Sequence, residues 1–306
     1  MKLITEAGNL NGKRVLVRVD WSVPMKDGRI INDYQIKATL PTLEYLKENG
    51  AKIIVATHLE SENDSIESLK SYLPEGAELL PNLRENRGEE NNSEDFSKEL
   101  ASKADIFVNE AFPESHRSHA SIVGVPKFLP SYAGIRFSQE VNELSRAFTP
   151  AHPFGLILGG AKPETKLPLI EKFLNIADWI FVGGILAQKL SIQSDKIILP
   201  EGDIMALDAN RETIENLKLK IENSKFIVWN GPLGQYETGH TQYTNELAQA
   251  LANSEREVIV GGGDTLATIQ NLNVLDKFSF VSTAGGAMLD FLAKGTLPGI
   301  EALRGN

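Results

Sequence analysis

The sequence predicts an α/β protein made of two similar-sized lobes, each with a parallel sheet. Three observations carry this. Short apolar runs alternate with helix-like stretches along the chain, which implies βαβ units. Four runs in the second half pass directly into glycines: 154–160, 179–184, 258–263 and 280–286. A stiff segment, Thr149-Pro150-Ala151-His152-Pro153, separates the two series.

In the first half, residues 14–19 read as a strand and residues 36–49 as a helix that stops at Gly50. Residues 51–57 are the next strand, 66–72 a short helix, and 85–95 a solvated polar loop. A helix over 94–102 precedes a strand over 104–108, and residues 129–134 lead into a helical run over 138–148. In the second half each apolar run has the length of a strand buried on both faces. Ligands of open parallel sheets bind outside the carboxyl ends of the strands. Glycine there lets backbone N–H groups approach an anion closely, and the helix that follows favours negative charge. Four such turns on one edge point to a phosphate-rich ligand, a nucleotide above all.

The 306 residues suffice for two domains with a sizeable core. A net charge of −10 argues against nonspecific nucleic-acid binding and against adhesion to anionic membrane. With no cysteine, disulfide and thiolate chemistry are excluded. The first residues lack the apolar core of a signal peptide, and no apolar stretch reaches membrane-spanning length. A soluble cytoplasmic protein is expected.

Gly159-Gly160-Ala161-Lys162-Pro163-Glu164-Thr165-Lys166 places two lysines four apart on one face of a helix start. Like charges there repel unless an anion lies between them; two ordinary surface lysines are the plainer alternative. Gly261-Gly262-Gly263-Asp264-Thr265 puts a carboxylate at another strand end. Asp264 is suited to hold Mg²⁺ that bridges phosphates, or simply to cap a helix. In Trp229-Asn230-Gly231-Pro232-Leu233-Gly234-Gln235-Tyr236-Glu237, Asn-Gly-Pro stiffens a loop and Glu237 is placed to accept from ribose hydroxyls. The segment 109–121 sets His116, Arg117 and His119 after a strand; planar Arg117 suits a carboxylate or phosphate, and a His116–His119 metal pair lacks a third ligand. Asp20, Ser22 and His58 also follow strands and are individually turn or cap residues.

At these residues the chain resembles the phosphoglycerate kinases. The similarity runs in order through 14–24, 36–59, 83–92, 109–134, 153–166, 213–237 and 258–303. The combination of Gly-Gly-Ala-Lys, Trp-Asn-Gly-Pro, Gly-Gly-Gly-Asp-Thr and the closing Ser-Thr-x-Gly-Gly-Ala…Leu-Pro-Gly is highly specific. The resemblance implies two Rossmann-like lobes joined by a hinge helix: residues 1–148 for the acid substrate and 149–306 for the nucleotide, with the last residues returning to the first lobe. It implies a cytoplasmic, monomeric glycolytic enzyme with ATP/ADP and Mg²⁺ as cofactors and 3-phosphoglycerate as partner. Lys162, Arg117, Gly262 and Gly285 would be catalytic. Gly160, Lys162, Lys166, Gly183, Gly184, Asn230, Pro232, Glu237, Gly262, Gly263, Asp264 and Thr265 would bind the nucleotide, with Asp264 on the metal. Asp20, Ser22, Gln35, His58, Arg117 and His152 would face the acid.

Departures from the family pattern gather in the first lobe. Ser22 replaces an asparagine, Gln35 the main catalytic arginine, and Ser61 the arginine of a His-Leu-Gly-Arg-Pro motif that here reads His58-Leu59-Glu60-Ser61-Glu62. His152 stands where another arginine is expected, which leaves Arg117 alone among the four. Arg87, Arg136 and a cationic His152 are the candidates to compensate. Slow phosphoglycerate kinase activity, a noncatalytic nucleotide-binding relative, and a kinase for a different carboxylate are the readings that follow.

Overall fold

The computed structural model describes residues 1–61, 64–161 and 163–305. The chain divides into two compact units: Met1–Val141 together with the tail from Thr296, and Asn142–Gly295.

The first unit is built on a five-stranded sheet in the order β5-β4-β1-β6-β7, every pair parallel. Its strands are β1 (Arg14–Arg18), β4 (Lys52–Ala56), β5 (Glu78–Leu79), β6 (Ile106–Asn109) and β7 (Ser131–Ala133). A small antiparallel hairpin, β2 (Met25–Lys26) and β3 (Arg29–Ile30), precedes α1 (Tyr34–Glu48). Helix α2 (Glu94–Ser102) begins at Ser93, whose hydroxyl accepts from the Phe96 N–H, the usual satisfaction of a first-turn donor. Helix α3 (Ile135–Ser145) contains the boundary between the units, and α10 (Pro298–Arg304) lies in the tail.

The core of this unit packs Val15, Val17 and Val19 of the β1 region against Ile36, Leu43 and Leu46 of α1. Trp21 is wholly buried, and burial of an indole is tolerable only with a partner for its N–H. That donor finds the Thr39 hydroxyl of α1 at 2.8 Å, which ties the β1 end to the helix.

The second unit has a six-stranded parallel sheet in the order β10-β9-β8-β11-β12-β13. These strands are β8 (Phe154–Leu158), β9 (Trp179–Val182), β10 (Ile197–Ile198), β11 (Phe226–Asn230), β12 (Glu257–Gly261) and β13 (Phe280–Val281). The helices are α4 (Pro163–Phe173), α5 (Gly184–Gln188), α6 (Arg211–Glu222), α7 (Gln242–Ala252), α8 (Gly263–Asn271) and α9 (Gly286–Lys294). Every residue of β8, β9 and β11 is buried, as expected of strands covered on both faces.

Within each unit the chain winds outward from its first strand, returns, and winds out the other way. That is the doubly wound order 3-2-1-4-5, extended by a sixth strand in the second unit, and it opens a crevice beside the first strand. The parallel α/β fold predicted from the apolar runs is observed. In the first unit the crevice lies between β1 and β6, and in the second between β8 and β11.

Candidate functional site

The second unit brings its glycine-rich turns to one edge. Gly159 and Gly160 follow β8, and their N–H groups donate to the Asn230 and Pro232 carbonyls at 3.0 and 2.8 Å. A Cβ on Gly159 would overlap the Pro232 carbonyl, and one on Gly231 would stand 2.5 Å from the Gly159 oxygen. Only glycine permits the β8 and β11 turns to lie this close. Gly183 donates to the Leu158 carbonyl at 2.8 Å and caps α5. Gly262 opens α8 at a φ of 104°, and Gly285 opens α9 beside it.

A cavity of about 480 Å³ sits at this edge, lined by Gly160, Gly184, Pro232, Glu237 and Asp264 among others. That size suits a nucleoside-sized ligand. Asp264 and Glu237 are exposed at its wall. Met205, Leu207 and Tyr236 also line the cavity and offer apolar surface suited to a planar ring. Sequence reasoning missed Met205 and Leu207, because their segment has no period; the available signal was two large apolar side chains exposed in a polar loop.

Other expected nucleotide residues, among those described, do not line this cavity. Thr265 is buried, and its hydroxyl accepts from the Gly231 N–H at 2.9 Å, tying α8 to the Asn-Gly-Pro loop. Asn230 is buried with its amide toward Met288. Lys166 is buried on α4, and its ammonium donates to the Gly159 carbonyl. Gly263 faces open space at the start of α8. Lys162, and likewise Glu62, lie outside the described residues.

The first unit gathers charged side chains at the carboxyl edge of its sheet. Asp20 and Ser22 follow β1, and Ser22 folds back so that its hydroxyl donates to Asp20 Oδ1 at 2.6 Å. His58 follows β4 and is wholly buried. Arg18, also buried, donates to Ser121 Oγ at 2.8 Å and to the Val19 carbonyl, and reaches His58 Nδ1 at 3.2 Å. An arginine can only donate, so this contact assigns the imidazole proton to Nε2. Among the described residues that Nε2–H has no hydrogen-bond partner, nor has His119 Nδ1. Burial, together with Arg18, Arg84 and Arg117, pushes His58 far below the ordinary histidine range, so the ring is neutral. Burial also pushes His119 down. Asp20 is pushed up by burial and by the Glu114 charge.

The cationic complement is larger than the sequence reading counts. Arg84 and Arg18 join Arg117 here. Arg84 Nη2 stands 3.3 Å from Glu114 Oε2, and Arg117 Nη1 stands 3.4 Å from the same oxygen. Arg84 also pairs with Glu60. His58, Glu60 and Glu114 present one nitrogen and two carboxylate oxygens within 4.8 Å of one another. The Arg84 guanidinium already stands against both carboxylates and supplies the positive charge a cation would bring. His116 Nδ1 lies 2.9 Å from the Pro113 carbonyl.

Three of the expected cations have other neighbours. His152 lies just before β8, at the amino end of the second sheet, with its Nδ1 2.7 Å from Asp178. The whole strand, roughly 16 Å at about 3.3 Å per residue, separates it from the glycine-rich edge. Within the second unit His152 is therefore remote from that edge. Arg136 is tied to buried Glu140 at 2.8 Å, and Arg87 lines a separate cavity with Phe96 and Lys103 of the α2 side. Gln35 sits half-buried in the first turn of α1.

A family-wide sequence profile described as Phosphoglycerate kinase matches residues 4–75, 63–199 and 188–295. The phosphoglycerate kinase of Finegoldia magna is 34% identical over 383 aligned positions that cover 96% of this chain and 97% of that one. The aligned length exceeds this chain's 306 residues, so that relative carries segments absent here. The phosphoglycerate kinase of Coprothermobacter proteolyticus is 33% identical and covers 96% of each chain. Among solved structures, phosphoglycerate kinase from Coxiella burnetii superposes with a TM-score of 0.80 at 32% identity, covering 97% of each chain. That from Pyrococcus horikoshii gives 0.84 at 27% identity, covering 99% of this chain and 98% of that one. Among the described residues no helix is long and apolar enough to cross a membrane.

Proposed function

The chain belongs to the phosphoglycerate kinase family, and from that premise we infer that it transfers a phosphoryl group reversibly between ATP and the carboxylate of 3-phosphoglycerate. A carboxylate oxygen forms a bond to the γ-phosphorus while the bond to the β–γ bridging oxygen breaks. ADP leaves, and 1,3-bisphosphoglycerate is the acyl phosphate formed. The observation that carries the reading is the Arg18–His58–Arg84–Arg117 group at the carboxyl edge of the first sheet. It supplies guanidinium donors and a free Nε2–H where an acid substrate of a doubly wound sheet binds.

Each part of the chain then has a task. Arg117 and Arg84 hold the anionic groups of the acid, and neutral His58 donates to one of its oxygens. Arg18, buried and bonded to Ser121, orients the His58 ring. Gln35 occupies the place of the family's catalytic arginine and offers hydrogen bonds without charge. In the second unit, the Gly160 and Gly184 turns admit the nucleotide, and Met205, Leu207 and Tyr236 cover the ring. Glu237 accepts from ribose, and the α4, α8 and α9 starts, with Gly262 and Gly285, face the phosphates. Lys162 follows the transferring group, and Lys166 shapes the Gly159 turn. Asp264 would hold Mg²⁺, which neutralises phosphate charge when bound. Phosphoryl transfer depends on positioning and positive charge around the equatorial oxygens, so the loss of charge at Gln35 slows this enzyme relative to members with the arginine. A cytoplasmic monomer acting on small molecules, without nucleic-acid or membrane partners, completes the reading.

A second reading has its own support. Gln35 and Ser61 stand for guanidiniums, and Asp20, Glu60, Glu89 and Glu114 crowd the three arginines. That balance favours an acid with less negative charge than 3-phosphoglycerate. A coupled assay with ATP, Mg²⁺ and 3-phosphoglycerate decides. ADP formation that depends on 3-phosphoglycerate is expected. Turnover only with other carboxylic acids would install the second reading. Nucleotide binding by calorimetry with no turnover on any acid would mark a noncatalytic relative.

A further inference from the structure

The Arg84 guanidinium faces a carboxylate on every nitrogen. Nη1 pairs with Glu60, Nε lies 3.5 Å from Glu90, and Nη2 lies 3.3 Å from Glu114. Arg84 itself is only 15% exposed, but two of its three partners reach into water. The three acids differ in kind. Glu114 is 6% exposed and shared with Arg117, so it belongs to the wall of the site. Glu60 and Glu90 are 61% and 62% exposed, free to swing into water. Glu60 also reaches toward the unpartnered His58 Nε2, at 3.4 Å. A carboxylate that rests on the guanidinium and approaches the free imidazole N–H makes the two contacts an acid substrate would make there.

We propose that Glu60, assisted by Glu90, is a resident carboxylate that occupies the Arg84 anion site and must swing out before an anionic substrate can bind, so that it sets the affinity of that site. The inference rests on the proposed reading only in naming 3-phosphoglycerate as the anion; the competition for Arg84 applies to any carboxylate or phosphate. Displacement costs the resident pair its attraction and places a second negative charge beside the incoming anion. Both effects raise the apparent dissociation constant and leave the later chemical step untouched. Glu60 is thus a specificity-determining residue, one that disfavours multiply charged anions most.

The test uses the full chain and two ligands: 3-phosphoglycerate, read by KM and kcat, and inorganic phosphate, read by calorimetry in the absence of nucleotide. Glu60→Gln should tighten both by about 5-fold and Glu90→Gln by about 2-fold, the range of an exposed pair. Glu67→Gln, which removes an equally exposed carboxylate paired with Lys70, should change neither. The gain should vanish in Glu60→Gln combined with Arg84→Gln. Unchanged or weaker binding of both ligands in Glu60→Gln would overturn the inference, as would an equal gain in Glu67→Gln. Tighter phosphate with no use of 3-phosphoglycerate by any variant would sustain the inference and reject the substrate reading. Turnover of 3-phosphoglycerate with the same KM in wild type and Glu60→Gln would do the reverse.

Discussion

Replacing Arg84 with methionine keeps the length of the apolar stem and deletes the guanidinium. The structure sets two opposing consequences. The site loses a cation that is 15% exposed, so its bond to an anionic substrate is formed in a partly desolvated place. A charge-assisted hydrogen bond of that kind contributes about 1.5–3 kcal/mol, which is about 10- to 100-fold in KM. The deletion also removes the partner of Glu60 and Glu90, and so removes the competition they exert. That relief is limited to the roughly 0.2–1 kcal/mol of exposed pairs, so the loss wins. Glu114 keeps Arg117 at 3.4 Å, and the fold survives with a cost of about 1–3 kcal/mol for the weakened buried pairing. Arg117 is 40% exposed, so Arg117→Met should raise KM by less than Arg84→Met. The assay is the coupled reaction at saturating Mg-ATP with 3-phosphoglycerate varied, accompanied by nucleotide calorimetry and a thermal melt. Arg84→Lys should fall between wild type and methionine, since it keeps the charge and loses the fork. A KM within two-fold of wild type in a folded Arg84→Met protein would refute the argument, and so would a matching loss of nucleotide affinity.

Three further outcomes are expected. Gln35→Arg should raise kcat/KM for 3-phosphoglycerate by about 10-fold or more through one added charge-assisted contact, and Ser61→Arg should raise it less because Glu60 lies beside it; no gain from either would show that Arg18, Arg84 and Arg117 suffice. Lys162→Ala should reduce kcat far more than ATP affinity, since the charge is used mainly as the phosphoryl group transfers, and equal losses would make it a ground-state ligand. Burial raises the Glu110 carboxyl from 4.5 to about 7, although it accepts from the Thr42 hydroxyl and from the Arg136 and Phe137 N–H groups. The folded state then holds this proton more tightly than the unfolded chain. Its stabilising contribution is complete below the unfolded value and is lost as pH rises through about 7. Across that window wild type should lose about 3 kcal/mol relative to Glu110→Gln in urea titrations, and a difference that is flat with pH would contradict the assignment.

Much of the fold was legible because burial on both faces leaves no room for polar residues. The runs 154–158, 179–182 and 258–260, which became β8, β9 and most of β12, are unbroken apolar stretches in all but their glycines, and their glycine endings marked the edge that carries the cavity. The predicted helix over residues 94–102 matches α2, since its amphipathic spacing and Ser93 cap are local features. Strands β5, β7 and β10 were not legible: two or three residues carry no period, and each exists because a longer neighbour offers it hydrogen bonds. The site divides in the same way. Asp20, His58 and Arg117 follow strands, so counting along the chain places them at one edge. Arg18 hides inside a strand pattern, where an arginine reads as an outward residue until Ser121 and His58 are seen to satisfy it. Arg84 sits in a three-residue 3-10 turn just before the stretch read as a solvated loop, too short to carry a period. His152 stands beside Pro153, and only the direction of β8 shows that it lies at the opposite end of its own sheet from the glycine-rich turns.

By itself the sequence determined the alternation of strands and helices, the parallel sheets, the glycine-lined edge and the identity of the departures at Gln35, Glu60 and Ser61. These follow from hydrophobic period and backbone stereochemistry, which act between near neighbours along the chain. Only the tertiary structure decided which charges meet. Arg84 finds Glu60, Glu90 and Glu114, the imidazole proton of His58 is assigned by Arg18, and the Lys166 ammonium meets the Gly159 carbonyl. Pairing between ions depends on distance through space and on how much water remains between them, and neither quantity exists until the chain has folded.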